Sequence, residues 1–407
     1  MGAVKGFRCA KCGAEYPADR RTFACDACGI VLEVRMDLAG VAARRDEILG
    51  RKDRRIWRWL EFLPIADPAH IVSLGEGGTP MVYSEALCSA AGLERLYIKN
   101  DGLLPTGSLK DRSNSVGISK AKEWKVQATA VVSTGNAAAS VAAYSAAAGM
   151  RAVVIVPEAT APEKVAQAAT YGATIVRFRG SFEEAHAMYR EALKAFGWYD
   201  CLSSNPFRLE GKKTYALETW QDLGEVPDWT FHPTSGGTGL AATWKGFREL
   251  QALGWTRKLP CLGLVQAAAA APIVRAFERQ LDEIPAVIPG ETVAESIKVG
   301  RPSSMAWRAL KAVRESGGRC VAVTDEEILR AQALLAQKAG ILGEPAGAAS
   351  LAAAIKLRQE GVLRPTDLVV CMMTGHGLKQ PAALSHHFRL PDPIEPTLAA
   401  LERLVRP

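Results

Sequence analysis

The sequence has no hydrophobic run long enough to cross a membrane. A membrane-spanning helix needs about 20 consecutive apolar residues, and no apolar run in this chain reaches that length. The first residues, MGAVKGFRCAKCG, also lack the apolar stretch of a secretory signal. The Ser or Thr that myristoylation requires shortly after Gly2 is absent as well. These absences predict a cytoplasmic protein.

The composition lacks the features of a disordered chain. Hydrophobic residues make up 48% of the 407 residues and charged residues 23%, a mixture typical of globular proteins of two or three domains. The net charge is +7, and the segment 44–59, RRDEILGRKDRRIWRW, mixes arginines with tryptophans. Such a segment could contact nucleic acid. We favour an amphipathic helix that packs Ile56, Trp57 and Trp59 on a neighbour, because acidic residues interrupt the positive run.

The nine cysteines are unevenly distributed. Four form two Cys-x-x-Cys pairs, each followed by a glycine: Cys9, Cys12, Cys25 and Cys28. Two such pairs predict a closed tetrahedral sulfur site for a structural zinc ion, with iron as an alternative metal. Two disulfides are the other interpretation, which a cytoplasmic chain disfavours. The remaining five are scattered in apolar surroundings and predict small buried side chains.

From residue 74 onward, short apolar runs alternate with alanine-rich helical patterns. Strict alternation of apolar strands with helices predicts parallel sheets covered on both faces. Ligands bind such sheets at the carboxyl ends of the strands. Four of these ends have residues that could bind or react with a ligand. They are the turn before Lys110, the segment STGNAAAS with Asn136, the loop PTSGGTG at 233–239, and the segment MMTGHGLK with Thr374. A glycine-rich loop before a helix can bind a phosphate, so the combination predicts a phosphorylated ligand beside a reactive lysine.

These segments resemble the threonine synthases among the pyridoxal-phosphate enzymes of the tryptophan synthase β fold (fold type II). The resemblance covers about residues 70–390 and depends on seven motifs in order: LGEGGTP, KNDGLLPTGSLKDR, STGNAAASVAAY, NPFRLEGKKT, ESIKVGRPSS, GEPAGAAS and TGHGLK. It implies an α/β fold with two three-layer domains built on parallel sheets, in addition to the small zinc ribbon. An N-terminal zinc ribbon also occurs in some threonine synthase-like proteins.

The predicted organisation has five parts. They are a zinc ribbon at 1–36, a helical linker at 37–72, a larger cofactor-binding domain at 73–94 and 206–388, a smaller domain with the lysine and asparagine loops at 95–205, and a C-terminal tail helix at 389–407. The resemblance also implies a homodimer.

The resemblance assigns cofactor roles residue by residue. Lys110 is implied to be the Schiff-base lysine that also moves protons, and Asn136 to face the ring hydroxyl of the cofactor. Thr374 is implied to meet the ring nitrogen. The implied ligands of the cofactor phosphate are Gly236, Gly237, Thr238 and Gly239. A lysine amine must be uncharged to attack an aldehyde, and burial with a nearby cation lowers its pKa.

The substrate implied by the resemblance is O-phospho-L-homoserine, which requires a second anion site. Candidates for its phosphate are Ser133, Ser203, Arg208 and Lys213, and the N–H groups around Thr134 are expected to meet its carboxylate. Glu344 is interpreted as a structural cap of the next helix. The chain departs from the family pattern in having Ala137 after the asparagine, Leu202 before the NP motif, Leu109 before the lysine, and the loop TSGGTG.

Two alternatives therefore stay open. One is a dehydratase or β-replacement enzyme that uses serine, threonine or O-phosphoserine, since the loop TSGGTG resembles the loops of serine and threonine dehydratases. The other belongs to a different class, a zinc-ribbon nucleic-acid-binding protein on an inactive enzyme body. Intact motifs around Lys110, Asn136 and Thr374 disfavour the second alternative.

Overall fold

The protein contains three sheets that differ in size and strand direction. The computed structural model describes residues 3–180 and 182–405. The strands of the described part are β1 (Ala3–Arg8), β2 (Glu15–Tyr16), β3 (Glu33–Asp37), β4 (Met81–Tyr83), β5 (Arg95–Asn100), β6 (Ala128–Val132), β7 (Arg151–Pro157), β8 (Thr174–Phe178), β9 (Tyr199–Asp200), β10 (Trp229–Pro233), β11 (Cys261–Ala267), β12 (Arg319–Val323) and β13 (Leu368–Met373).

The α-helices of the described part surround the two larger sheets. They are α1 (Arg45–Leu49), α2 (Glu85–Ala91), α3 (Lys110–Glu123), α4 (Asn136–Ala147), α5 (Pro162–Thr170), α6 (Phe182–Phe196), α7 (Phe207–Leu223), α8 (Thr238–Ala252), α9 (Pro272–Glu278), α10 (Met305–Glu315), α11 (Asp325–Ala339), α12 (Pro345–Gln359) and α13 (Leu398–Val405). The last of these lies in the predicted tail segment.

The largest sheet has six strands in the order β12-β11-β10-β13-β5-β4. Its strands are parallel except for β4, which pairs antiparallel with β5. Every residue of β10 and β13 is buried, as expected of strands with helices on both faces. Apolar side chains of α2, α11 and α12 pack on one face, and those of α8, α9 and α10 on the other. The predicted three-layer α/β architecture is confirmed for this domain.

The smaller sheet has four parallel strands in the order β8-β7-β6-β9. Helices α3, α4 and α5 contribute to the core on one face, and α6 packs on the other. Strand β5 is an exception to the predicted division of the chain. It pairs with β13 along its whole length, so residues 95–100 belong to the larger sheet. The prediction that the smaller domain begins at residue 95 is wrong for this strand.

The N-terminal module is a three-stranded antiparallel sheet in the order β2-β1-β3. Phe7 and Phe23 of this module form a cluster of rings with Trp124, just after the end of α3, and Phe207, at the start of α7. The module therefore packs directly on the enzyme body.

The basic segment 44–59 packs as the favoured interpretation expects. Ile56 and Trp59 are fully buried, and Trp57 is nearly so. The segment forms a short α-helix and the beginning of a 3-10 helix, Ile56–Phe62. Four of its six arginines form ion pairs: Arg44 and Arg51 with Glu47 and Glu61, Arg54 with Asp222, and Arg55 with Asp53. Arg58 is buried and donates to backbone carbonyls.

Within the described part of the chain, no helix is both long and apolar enough to cross a bilayer.

Candidate active site

The lysine turn is joined to the segment after β13 by backbone hydrogen bonds. Leu109 N–H donates to the Thr374 carbonyl at 2.9 Å, and His376 N–H donates to the Gly107 carbonyl at 2.9 Å. A β-bridge pairs Ser108 with Gly375 between them. These contacts bring Lys110, the first residue of α3, close to Thr374, although the two are far apart in the sequence.

Asp111 fixes the same turn from inside the protein. Its buried carboxylate accepts hydrogen bonds from Thr106 N–H at 2.7 Å, from the Thr106 hydroxyl at 2.6 Å and from the Ser140 hydroxyl at 2.6 Å. Burial raises the pKa of Asp111 to about 6, although these donors oppose the shift. The carboxylate thereby links the lysine turn to α4, the helix that begins at Asn136.

The Lys110 side chain lies in surroundings that favour the neutral amine. It is half-buried, and its Nζ forms no hydrogen bond within the described part of the chain. Burial lowers the pKa of Lys110; Glu344 opposes this effect, and the positive charge of Arg208 reinforces it. Because a neutral amine is the nucleophilic and basic form of lysine, these surroundings suit a reactive group.

Glu344 connects the two predicted cofactor side chains. Its buried carboxylate accepts hydrogen bonds from Asn136 Nδ2 at 3.0 Å and from the Thr374 hydroxyl at 2.9 Å. Its side chain makes no capping bond to α12, so the interpretation of Glu344 as a structural cap is wrong. Gly375 permits the approach, because a Cβ at that residue would lie 2.5 Å from the Glu344 carboxyl carbon.

The loop between β10 and α8 has the geometry of a phosphate site. Gly237 has φ +89° and ends the loop, and Thr238 begins α8. The N–H groups of Gly236 and Gly237 make no hydrogen bond within the described residues. A Cβ on Gly237 would lie 2.7 Å from the Met305 carbonyl, and one on Gly239 would overlap the His232 ring. Free N–H groups at a helix N-terminus are donors for an anion.

Arg208 and Lys212 form a second positively charged group near Lys110. Arg208 is 6% exposed, and its Nε donates to Asn114 Oδ1 at 3.1 Å. Lys212 is 9% exposed; burial lowers its pKa well below the usual range, and the charges of Lys110 and Arg208 lower it further. Neither side chain forms an ion pair within the described part of the chain. Two buried basic groups without a carboxylate partner are well suited to an anionic ligand, which would stabilise their protonated forms.

Lys213 does not belong to this group. Its ammonium is fully buried and pairs with Glu210 at 2.6 Å and with Glu249 at 2.8 Å. These pairs contradict the prediction of Lys213 as a phosphate ligand, whereas Lys212 lies near Lys110 and Arg208. The sequence has two adjacent lysines on α7. Which of them faces the site depends on how α7 is rotated about its axis relative to α3.

The predicted serine and threonine candidates have different positions. The Ser203 hydroxyl donates to Ser303 Oγ at 3.4 Å, and that oxygen would lie 3.5 Å from a Cβ on Gly236. Ser203 therefore lies close to the glycine loop. Ser133 accepts from Gly135 N–H at 3.3 Å and shapes the turn before α4, and Thr134 is half-buried in that turn.

Two departures from the family pattern fill core space. Leu202 packs against both core clusters of the smaller domain. Leu109 is buried in a cluster with side chains of α7 and β13. Ala137 is half-buried beside the cluster that contains α4. Leu109 and Leu202 thus contribute to packing.

The chain matches the family model described as "Pyridoxal-phosphate dependent enzyme" over residues 72–375. It is 42% identical to a threonine synthase of Methanocaldococcus jannaschii over 402 residues, which is 98% of this chain and 99% of that protein. It is 38% identical to a threonine synthase of Methanosarcina acetivorans over 403 residues, 98% of each. The chain belongs to the threonine synthase family of pyridoxal-phosphate-dependent enzymes. It is accordingly a pyridoxal-phosphate-dependent lyase.

Solved structures agree with this assignment at the level of the fold. A threonine deaminase of T.th. is 26% identical with a TM-score of 0.63, covering 77% of this chain and 94% of that chain. A serine racemase from Dictyostelium discoideum has the same TM-score of 0.63 at 21% identity, covering 74% and 92% of the two chains.

The residues of the site fit the family's cofactor. The amine of Lys110 makes no hydrogen bond within the described residues, the glycine loop has free N–H groups there, and Gly237 and Gly239 have no room for a larger side chain. Asn136 and Thr374 lie on either side of Glu344 and could contact the polar atoms of a pyridine ring. The burial of these last three side chains is consistent with a planar ring that excludes water.

The four N-terminal cysteines meet in one cluster. Their sulfur atoms all lie within 4.8 Å of one another. Gly13 and Gly29 follow the two pairs with φ +78° and +67°, and their N–H groups donate to the carbonyls of Cys9 and Cys25 at 2.9 and 2.8 Å. These are the tight turns that let two thiolates bind one ion. The cluster is compatible with zinc.

Proposed function

We propose that this enzyme converts O-phospho-L-homoserine and water to L-threonine and phosphate. The observation that supports the proposal is that two groups suited to an anion lie near Lys110: the glycine loop at α8 and the buried basic side chains of α7. A substrate without a phosphate would leave Arg208 and Lys212 without a counter-charge for their protonated forms, which is unfavourable.

The first anion site would hold the cofactor. The N–H groups of Gly236, Gly237, Thr238 and Gly239 would bind the phosphate of pyridoxal phosphate, Asn136 its ring hydroxyl and Thr374 its ring nitrogen. When bound, pyridoxal phosphate supplies an aldehyde for covalent attachment and a ring that accepts electron density from the substrate's α carbon.

The chain's own groups would then bind the substrate and move protons. Arg208 and Lys212 bind the substrate phosphate, with Ser203 at the edge of the site. N–H groups around Thr134 at the start of α4 bind the carboxylate, and Ser133 supports that turn by accepting from Gly135 N–H. The neutral Nζ of Lys110 takes the α-proton and then a β-proton. Phosphate leaves as the Cγ–O bond breaks, stabilised by Arg208 and Lys212, and Cγ then takes a proton to become the methyl carbon. The oxygen of water bonds to Cβ, Cα regains a proton from Lys110, and the remaining proton goes to the released phosphate.

Turnover of O-phospho-L-homoserine by the cofactor-loaded enzyme tests this proposal. Phosphate release and amino-acid products should be followed together, and we expect threonine and phosphate in equal amounts. Phosphate with 2-oxobutyrate would indicate elimination without addition of water. Activity only on serine, threonine or O-phosphoserine would contradict the proposal and favour the dehydratase alternative.

We also propose that the four cysteines bind one structural zinc ion. Elemental analysis of protein purified without added metal should give one zinc per chain, and Cys12→Ser should reduce that content. Iron in place of zinc would identify the other metal that the ligands permit. The homodimer and the cytoplasmic location stay predictions, and light scattering of the purified protein tests the first.

A further inference from the structure

We propose that the N-terminal ribbon positions the residues that bind the substrate phosphate. The inference rests on the proposed function of Arg208 and Lys212 as that site. The ribbon contacts the three helices whose first residues lie nearest the two anion sites: α7, α8 and α10.

The first contact is the aromatic cluster. The Phe23 ring of the ribbon packs edge-on against Phe207 at 5.6 Å and stacks on Trp124 at 6.0 Å. Phe207 begins α7 and immediately precedes Arg208. Trp124 directly follows α3, the helix that begins at Lys110 and carries Asn114, the hydrogen-bond partner of Arg208. Phe23 therefore lies between the ends of the two helices that set the position of the Arg208 guanidinium.

The second contact is made by the ribbon backbone. Val31 N–H donates to the Ser304 hydroxyl at 3.3 Å, and Arg308 donates to the Val31 carbonyl at 2.5 Å. Ser304 directly precedes α10 and follows Ser303, which bonds Ser203 at 3.4 Å. A shift of Val31 would therefore move the serine pair at the edge of the phosphate site.

The third contact involves a buried charge. Lys245 on α8 donates to the Val34 carbonyl at 2.6 Å and pairs with Glu210 on α7 at 2.5 Å. Glu210 lies two residues after Arg208 and also pairs with Lys213 at 2.6 Å. The ribbon thus fixes α7 relative to α8, the helix that bears the glycine loop.

Truncation of Phe23 tests the inference. In the cofactor-loaded enzyme, we expect Phe23→Ala to raise the dissociation constant of inorganic phosphate about tenfold, and the KM for O-phospho-L-homoserine by the same factor. The kcat should be nearly unchanged, because a misplaced Arg208 weakens phosphate binding but does not slow proton transfer by Lys110. Phe23→Leu should restore part of the affinity. The zinc content and the visible absorbance of bound cofactor should equal those of the wild type.

Phe196→Ala is the matched control, since Phe196 is an exposed aromatic residue that packs on Trp198 far along the sequence from the ribbon. An unchanged phosphate affinity in Phe23→Ala, or an equal loss in Phe196→Ala, would overturn the inference. If Phe23→Ala does not fold, Ser304→Ala can replace it, because that variant removes only the hydrogen bond from Val31 N–H. It should weaken phosphate binding about threefold, and an unchanged affinity would again overturn the inference. Failure to turn over O-phospho-L-homoserine, with phosphate binding intact, would refute the proposed function alone.

Discussion

Lys212 and Lys213 are neighbours in the sequence but have opposite surroundings. Lys213 is neutralised by two buried carboxylates, Glu210 and Glu249. Lys212 has no carboxylate partner within the described part of the chain; burial lowers its pKa, and the nearby basic groups Lys110 and Arg208 lower it further. A buried charge without a partner destabilises the folded protein unless a ligand neutralises it. We therefore expect Lys212 to bind the ligand and Lys213 to stabilise the fold, and substitution of each lysine in turn tests this difference.

We expect Lys212→Met to raise the KM for the phosphorylated substrate at least tenfold while thermal stability stays the same or increases. Lys213→Met should instead lower the free energy of unfolding, by less than the about 3–5 kcal/mol of a fully unpaired buried charge, because Glu210 and Glu249 would keep only Lys245 as a counter-charge. Steady-state kinetics and chemical denaturation distinguish the two effects. Equal losses of affinity in both variants would contradict the assignment.

Glu344 gives a second prediction for a single side chain. Glu344→Gln keeps the size of the residue but cannot accept both hydrogen bonds with a full negative charge. We expect weaker cofactor binding and a reduced kcat, with an unchanged fold. Titration of the cofactor-free protein with pyridoxal phosphate measures the first effect. The same affinity as the wild type would show that Asn136 and Thr374 need no carboxylate between them.

His232 makes the stability of the protein dependent on pH. Burial lowers the pKa of His232 to about 3, whereas an unfolded histidine titrates near 6.5. The folded state therefore holds His232 neutral, and its contribution to stability is present above pH 6.5 and is lost as the pH falls toward 3. Between pH 7 and 5 the loss amounts to about 2 kcal/mol. The free energy of unfolding of the wild type and of His232→Gln should be measured by denaturation at several pH values. We expect it to change less steeply with pH in the variant.

At the scale of elements, the glycine loop depends on how closely α8 approaches α10. Gly237→Ala would place a methyl group 2.7 Å from the Met305 carbonyl at a residue with φ +89°. We expect cofactor affinity to fall by about 10-fold or more, because either the loop or α10 must shift. Gly254→Ala is the matched control: its φ is +70°, but no atom lies within 4 Å of the added carbon. It should cost about 1 kcal/mol of stability without loss of cofactor affinity.

The alternating pattern of the sequence predicts most elements, because buried parallel strands are continuous apolar runs and helices follow them. The pattern does not single out strand β12, RCVAV, which is a short edge strand of five residues. Thr324 caps α11 by accepting from Glu327 N–H at 3.2 Å, and Asp325 binds Thr292 and Val293.

At the scale of the whole molecule, pairing between distant segments is the part that the sequence could not reveal. The motifs around Lys110, Asn136 and Thr374 are visible because each follows a strand. The membership of β5 in the larger sheet depends on long-range pairing with β13. The role of Glu344 depends on the close approach of Gly375, and the choice of Lys212 on the orientation of α7. Each of these is a tertiary relation between residues far apart in the chain.

The bridge between Ser108 and Gly375 has a consequence for biosynthesis. During translation, the lysine turn leaves the ribosome long before the strand that closes it. A nascent chain that ends before Thr374 cannot form the hydrogen bond from Leu109 to that residue, so Asp111 alone holds the turn and its outer side stays open. Acquisition of the cofactor should therefore be one of the last events in the maturation of each polypeptide.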